Sequence, residues 1–482
     1  LKVAVIGAGP AGITAARRIS GSGTPVVVYE KEHQVGGLSR TISLWGQKVD
    51  LGPHRFFTTQ RRALAMWSQA VADKYCLVNR QTRILYRNCL FDYPLRPANV
   101  LANLGWIDSG LSFLSYCREK TPFQSTNGAT FEAWVTRRFG RRLYEKFFKT
   151  YSEKLWGIPC SELDSDFAAQ RIRGFNLWDA IKSAVQPEEN REENEHRTLA
   201  AEFAYPKGGA GMAYEQMAEA VRRSTGLVRT ECEVKAVMRK NNVVQGVLLA
   251  DGTFQPYNHV ISTMDLKSLL CGLRPLPDDV EESISRLSYR NTILVYLHID
   301  SDRLFPDQWI YVHSPDLEVG RITNFRNWAP ELYAGKTTTI VALEYWCYDQ
   351  DAIWTTPDAD LVKRATREFA HSGLLKNATV LAGSVMRIQG SYPVYRVGYK
   401  ELLKPIIQFL KKLDGLTVIG RSACFKYNNQ DHSMLMGILA AENLLLGASH
   451  DLWSINTDSD YQEAGTAFSR QTSQNSDQQM IA

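Results

Sequence analysis

The chain has 482 residues, of which 44% are hydrophobic and 22% charged, and its formal net charge is +5 at pH 7. That length exceeds what one hydrophobic core usually serves, so two or three globular domains are expected. The mild positive charge excludes nucleic acid as the expected partner and suits an anionic small substrate, and without a run of about 18 apolar residues no membrane span is expected.

In chain order, Val3-Ala4-Val5-Ile6 reads as a buried strand, followed at once by Gly7-Ala8-Gly9-Pro10-Ala11-Gly12 and an alanine- and arginine-rich helix. A second strand, Pro25-Val26-Val27-Val28-Tyr29, ends on Glu30. This is a dinucleotide fingerprint in a strand–turn–helix–strand setting. Gly7 permits the tight turn, Gly9 lets the backbone approach a pyrophosphate, and Gly12 allows close helix–strand packing. The helix N-terminus offers free N–H groups to phosphate, and Glu30 is placed to accept ribose hydroxyls. Gly36 and Gly37, with Arg40 behind them, let backbone pass close to a second part of a long cofactor.

Gly52-Pro53-His54 makes a rigid turn, and locally His54 reads as a turn histidine bonded to backbone. Residues 60–200 look mainly helical, with apolar residues at helical spacing in 61–74 and 131–156. The stretch 187–197 is dense in Glu, Asn and Arg and reads as a solvated face. Tyr205-Pro206-Lys207-Gly208-Gly209 precedes an amphipathic helix over 214–223, and short strands follow from 228 to 262 with turns at Asn241-Asn242 and Asp251-Gly252. Thr292–Leu297, 309–312 and 337–345 read as strands of a mostly antiparallel sheet. Leu416-Thr417-Val418-Ile419 is a strand ending on Gly420-Arg421, and 466–482, rich in Gln, Ser and Asn, reads as a disordered tail.

Eight scattered cysteines with no C-x-x-C pair suit reduced thiols in a cytoplasmic protein and argue against a zinc site. The first residues already belong to a core strand, which leaves no room for a signal peptide.

The Glu30–Arg40 arrangement resembles FAD-binding flavoproteins of the amine-oxidase and UDP-galactopyranose mutase superfamily. The likeness to the mutases runs from residue 3 to about 445. It includes Gly52-Pro53-His54, the stretch from Leu143 to Gly157, Glu162-Leu163, Gln170-Arg171-Ile172, Pro206-Lys207-Gly208-Gly209 and Leu287-Ser288-Tyr289-Arg290. Gly320-Arg321-Ile322, Glu344-Tyr345, Tyr392-Pro393-Val394 and Gly420-Arg421 with Tyr427 and Asp431 follow in the same order.

The resemblance implies an α/β fold: a discontinuous Rossmann-like FAD-binding domain (1–60, 203–270 and 408–450), an inserted helical substrate domain (61–202) and a mostly antiparallel sheet domain (271–407). It implies FAD held by Gly7, Gly9, Gly12, Glu30, Gly37, Arg40, Gly420, Arg421, Asp431 and Met434, with His54 on the flavin face. Arg171 and Arg290 would clamp a diphosphate, structural salt bridges being their other reading. Phe147, Tyr151 and Trp156 would face a nucleobase or sugar, with Tyr427 adding a hydroxyl. Spacing alone favours a buried helix face for Phe147 and Tyr151.

The implied activity interconverts pyranose and furanose forms of a nucleotide-linked sugar through N5 of reduced FAD. A reductant such as NAD(P)H would be a partner, and self-association stays open. The alternative is an oxidoreductase removing hydride from a sugar, amine or other small substrate. Three departures bear on the choice. Phe57 stands where bacterial mutases have histidine, Leu155 where they usually have a uracil-reading glutamine, and 179–201 is longer and more charged than their mobile stretch.

Overall fold

The computed structural model describes residues 1–93, 95, 97–119, 130–166 and 202–456. Arg171, the charged stretch 179–201 and the tail 466–482 lie outside the described residues.

Three distant parts of the chain meet in one parallel sheet. Its order is Leu416–Val418, His259–Ser262, Val3–Ile6, Val26–Tyr29 and Gly226–Arg229. The short valine- and isoleucine-rich runs are buried on both faces, as strands between helical layers must be. Helix Pro10–Gly21 covers this sheet beside Gln430–Leu446, and Gly437 permits the approach because a Cβ there would meet the Ala11 carbonyl. The small antiparallel sheet Val234–Lys240, Val243–Leu249 and Phe254–Pro256 stands where the two turn signals put it.

A seven-stranded sheet forms the other half, in the order Val380–Pro393, Tyr289–Ile299, Thr339–Cys347, Arg321–Asn324, Trp309–Val312, Thr82–Tyr86 and Cys89–Asp92. Along Tyr289–Ile299 the side chains alternate between two cores. Ile293, Val295 and Leu297 face helix Asp358–His371, while Leu294 and Tyr296 face Trp309, Phe325 and Trp328.

Within 60–200 most described residues are helical, but three strands also lie there. Tyr75–Asn79 pairs with Glu202–Pro206, and Thr82–Tyr86 joins the large sheet parallel to Trp309–Val312. Both pairings are long-range, which local periodicity does not report, although Thr82–Tyr86 also closes a hairpin with Cys89–Asp92. The helical spacing read over 131–156 is realised in several pieces. Phe131–Phe139, capped by the Thr130 side chain, stops at Gly140 (φ +83°), whose hydrogen-only side faces the Tyr116 backbone. The chain then resumes as Arg141–Tyr144, a wide turn over Glu145–Lys149, and Thr150–Trp156.

Candidate functional site

The carboxyl ends of the parallel strands converge on one edge, the usual place for a ligand in an open α/β sheet. Gly7 (φ +90°) donates its N–H to the Tyr29 carbonyl at 2.7 Å, closing the first turn. A Cβ on Gly12 would strike the Gly7 carbonyl oxygen, so this position accepts glycine alone. The Gly36-Gly37 turn folds back on the first loop: Gly36 N–H donates to Ala8 O at 2.8 Å, and a Cβ on Gly37 would lie 3.0 Å from the Gly9 Cα. The Glu30 carboxylate accepts from Ala8 N–H at 2.7 Å and Glu32 N–H at 3.1 Å, which fixes its orientation and leaves lone pairs for a diol.

Among the described residues, three buried polar atoms near this edge have no hydrogen-bond partner: Arg40 Nε, His54 Nδ1 and Asp431 Oδ1, the last 3.5 Å from His432 Nδ1. An unsatisfied buried group costs about 1–3 kcal/mol, so such a set around one edge fits a polar ligand that supplies the missing partners. Arg40 is steered by an ion pair with Glu32 (2.9 Å), whose carboxyl Arg40 holds below the usual range against the opposing effect of burial. Gln430 ties the site together, donating to the His54 and Arg55 carbonyls at 3.2 Å and accepting from Tyr214 OH at 2.6 Å. Asp431 sits in the first turn of Gln430–Leu446, and Met434 is buried below it beside the Tyr214 hydroxyl. Gly420 (φ +99°) passes close to Ala11 and Thr263. Burial, with Arg321 and Arg421 adding, depresses His54 to about 3, so it is a neutral imidazole in a positive field.

Beyond His54 stands an aromatic wall carrying two guanidinium groups. Tyr392 stacks on Tyr427 (5.4 Å, 24°), and Trp156 meets Tyr427 at 5.9 Å and lies parallel to Tyr395 at 6.0 Å. Arg421 lies 4.8 Å from the Tyr392 ring and 4.3 Å from that of Tyr427. Its Nε and Nη1 donate to the Ser391 and Asn428 carbonyls at 3.0 and 2.9 Å, and no carboxylate pairs with it among the described residues. Arg321, by contrast, is neutralised by a bidentate pair with buried Glu344 (2.6 and 2.5 Å). Tyr151 stacks on His313 at 4.7 Å and meets Trp346 edge-on. Burial pushes its phenol well above the ordinary range, with Arg321 opposing and Tyr311, Tyr427 and Tyr392 reinforcing.

Two expected site residues are placed otherwise. Phe147 is 1% exposed and packs between Tyr86 and Phe91, so the buried-face reading holds for it and it presents no wall to a nucleobase. Arg290 is buried as a brace rather than an open clamp. It donates from Nε to the Leu155 carbonyl (3.2 Å) and from Nη2 to those of Lys154 (3.0 Å) and Trp346 (2.6 Å), while Nη1 faces Asp351 at 3.5 Å. It lies against Gly157 (φ +66°), where any side chain would collide with it, and Tyr348 OH donates to the Trp156 carbonyl beside it. The end of Thr150–Trp156 is thus held by Arg290, because the last carbonyls of a helix have no partner of their own. Arg321, Glu344 and Tyr392 lay in segments the sequence comparison matched, but nothing local marked them as a charged and hydroxylated wall.

The description of flavin-containing amine oxidoreductases matches residues 10–379, and the chain belongs to that family. Its members carry a flavin, which the glycine loops and the unpaired polar atoms fit. Among relatives, a probable UDP-galactopyranose mutase from Klebsiella pneumoniae is 26% identical over 182 residues, covering 37% of this chain and 46% of that protein. The chain therefore spans less than half the length of this curated relative. Among solved structures, reduced UDP-galactopyranose mutase superposes with a TM-score of 0.80 at 22% identity, over 93% of this chain and 96% of the other. A putative protoporphyrinogen oxidase from Exiguobacterium sp. 255-15 gives 0.71 at 14% identity, over 93% and 99%. At such identities the likeness establishes the fold, the α/β architecture with parallel and antiparallel sheets expected above.

Proposed function

We propose that this flavoenzyme binds FAD along the glycine loops and acts on an anionic, nucleotide-linked sugar, interconverting its pyranose and furanose forms. The observation that carries the reading is Arg421. Its charge lies over the stacked Tyr392–Tyr427 pair and, among the described residues, its hydrogen-bond partners are carbonyls alone, while Glu344 is neutralised by Arg321 and His54 is neutral. The wall is therefore net positive, which attracts a diphosphate and repels the ammonium group of an amine.

Gly9, Gly12 and Gly37 would admit the pyrophosphate, Glu30 the ribose, and Arg40 and Asp431 the remaining polar atoms. Bound there, reduced FAD would supply a nucleophilic N5. Arg421 and the Tyr392 and Tyr427 hydroxyls would hold the leaving diphosphate, and Trp156, fully buried against Tyr427 and Tyr395, would back that wall. Arg290 acts through the helix it fixes, as a positioning residue. A second reading, hydride removal from a less polar substrate, is favoured by the aromatic density around Trp156, Tyr395 and Tyr427.

An anaerobic assay on a panel of nucleotide sugars, with and without dithionite, separates the two. The mutase reading requires an isomer of equal mass formed only with reduced flavin and no net consumption of reductant. Bleaching of oxidised flavin by substrate, with peroxide formed on admitting air, establishes oxidation instead. In the first case Arg421→Gln should raise KM for the nucleotide sugar by about 10- to 100-fold, the loss of one charge-assisted contact, with the flavin spectrum retained. An unchanged KM would remove Arg421 from the substrate site.

A further inference from the structure

The end of strand Trp309–Val312 and the helix Thr150–Trp156 meet at two matched points. Tyr151 stacks on His313 at 4.7 Å and 18°. One helical turn on, the Lys154 ammonium donates to the carbonyls on either side of that histidine, Val312 at 3.1 Å and Ser314 at 2.7 Å, and to Val319 at 3.4 Å. Residues 151 and 154 share a helix face, so the ring contact and the ammonium contact engage the same strand end in one register. The connection 313–320 has no regular structure of its own. It is closed at its base by Val312 N–H on the Gly320 carbonyl (2.9 Å), and on its outer side Glu368 accepts the N–H groups of Glu318 (3.2 Å) and Val319 (2.8 Å). Its acids are engaged elsewhere, Asp316 with His371 (2.9 Å) and Glu318 with Arg364 (2.6 Å). Among the described residues no carboxylate pairs with Lys154, whose three N–H donors match three carbonyls. Burial brings this lysine down to about 8, with Glu368, Asp316 and Glu318 acting the other way, so the ammonium is its form at neutral pH.

We propose that Lys154 is a positioning residue: its ammonium pins the 313–320 connection to helix Thr150–Trp156 and so sets the Tyr151 ring in the wall it shares with Arg321, Tyr392 and Tyr427. Without the ammonium, three carbonyls would face an apolar gap, and the connection relieves that cost by withdrawing, which takes His313 off Tyr151. Arginine is no substitute, because a planar fork cannot address three carbonyls gathered around a single atom. The consequence for a bound ligand rests on the function proposed above, whereas the pin itself does not. A lysine that merely added stability would leave the stacked pair as it is.

The test is Lys154→Met in the flavin-loaded enzyme, which keeps the length of the side chain and removes its donors. Two readouts need no substrate. In protein labelled at histidine, the His313 ring protons are shielded by Tyr151 and should return toward ordinary imidazole positions in the variant; His313→Phe identifies the signal by its loss. The amides of His313, Val319 and Gly320, which donate to Leu85, Glu368 and Glu344, should exchange at least about tenfold faster, while Val3–Ile6 stays protected. Calorimetry with UDP supplies the third, a dissociation constant raised at least about tenfold. In Lys154→Ala, n-propylammonium should reverse all three changes and n-propanol none; should the methionine variant not fold, the alanine variant purified in the amine and then freed of it gives the same comparison. An unmoved His313 signal overturns the proposal, as does rescue by the alcohol. A moved signal with unchanged UDP affinity also overturns it, reducing the pin to a tie without a role in the wall. UDP bound by neither parent nor variant refutes the nucleotide reading instead, and the His313 signal then decides the pin alone.

Discussion

Arg290→Ala distinguishes a brace from a clamp. Sequence resemblance makes Arg290 a ligand of the substrate diphosphate, whose loss should weaken nucleotide-sugar binding far more than FAD binding. In the structure its donors go to the carbonyls of Leu155, Lys154 and Trp346. Truncation leaves these buried acceptors unpaired beside an empty space. Individual charge-assisted bonds contribute about 1.5–3 kcal/mol and are not additive, so about 3–5 kcal/mol is expected for the group. With about 2 cal/mol/K of unfolding entropy per residue, the 482-residue chain should lose roughly 3–5 °C at its thermal midpoint. Hydrogen exchange followed by mass spectrometry adds a local readout: amides of 150–157 should open about 100-fold or more faster, while those of Val3–Ile6 stay protected. Arg290→Lys, which keeps the charge but cannot reach three carbonyls at once, should restore little. Lost nucleotide-sugar binding with an unchanged midpoint and unchanged exchange would refute the brace and restore the clamp.

Two further outcomes follow from other parts of the molecule. Gly12→Ala should yield folded protein without flavin absorbance, since the added methyl occupies the position of the Gly7 carbonyl oxygen; yellow protein would show that the loop binds nothing through this turn. Burial, with nearby Lys154 adding, depresses His313 to about 3, below its unfolded value of about 6.5. Its neutral form therefore stabilises the fold above pH 6.5, and that contribution is lost progressively as pH falls toward 3. At pH 5 the loss is about 2 kcal/mol relative to pH 8, so His313→Phe, which keeps a ring against Tyr151, should flatten the acid limb of the melting curve. An equally steep limb in the variant would exclude His313 as its source.

The parallel sheet was legible because its signals are local. Val3–Ile6, Val26–Tyr29 and Leu416–Val418 are short apolar runs, each followed by glycine or an acid at the point where a ligand must approach. Thr82–Tyr86 was not: one partner, Trp309–Val312, lies more than two hundred residues away, the other, Cys89–Asp92, is reached through an Arg87-Asn88 turn without glycine, and the run carries no alternation that distinguishes strand from helix. In the site, sequence could name a donor but not its acceptor. Arg290 and Arg421 look alike in the chain, yet one is spent on a helix end and the other faces the aromatic wall. Phe147 and Tyr151 share a helical spacing, and only packing sends one into the core and the other against His313.

The strand order of the parallel sheet has a consequence for how the molecule is made. Val3–Ile6 lies between Val26–Tyr29, synthesised almost at once, and His259–Ser262, synthesised far later. At roughly 5–20 residues per second, its second edge stays unpaired on the ribosome for roughly 10–50 s, and Leu416–Val418 arrives later still. For that interval the glycine loop hangs from an open, apolar sheet edge, a template for wrong pairing unless a chaperone covers it. On the function proposed above, FAD capture would wait for Gly420 and Asp431, which emerge long after the glycine loop.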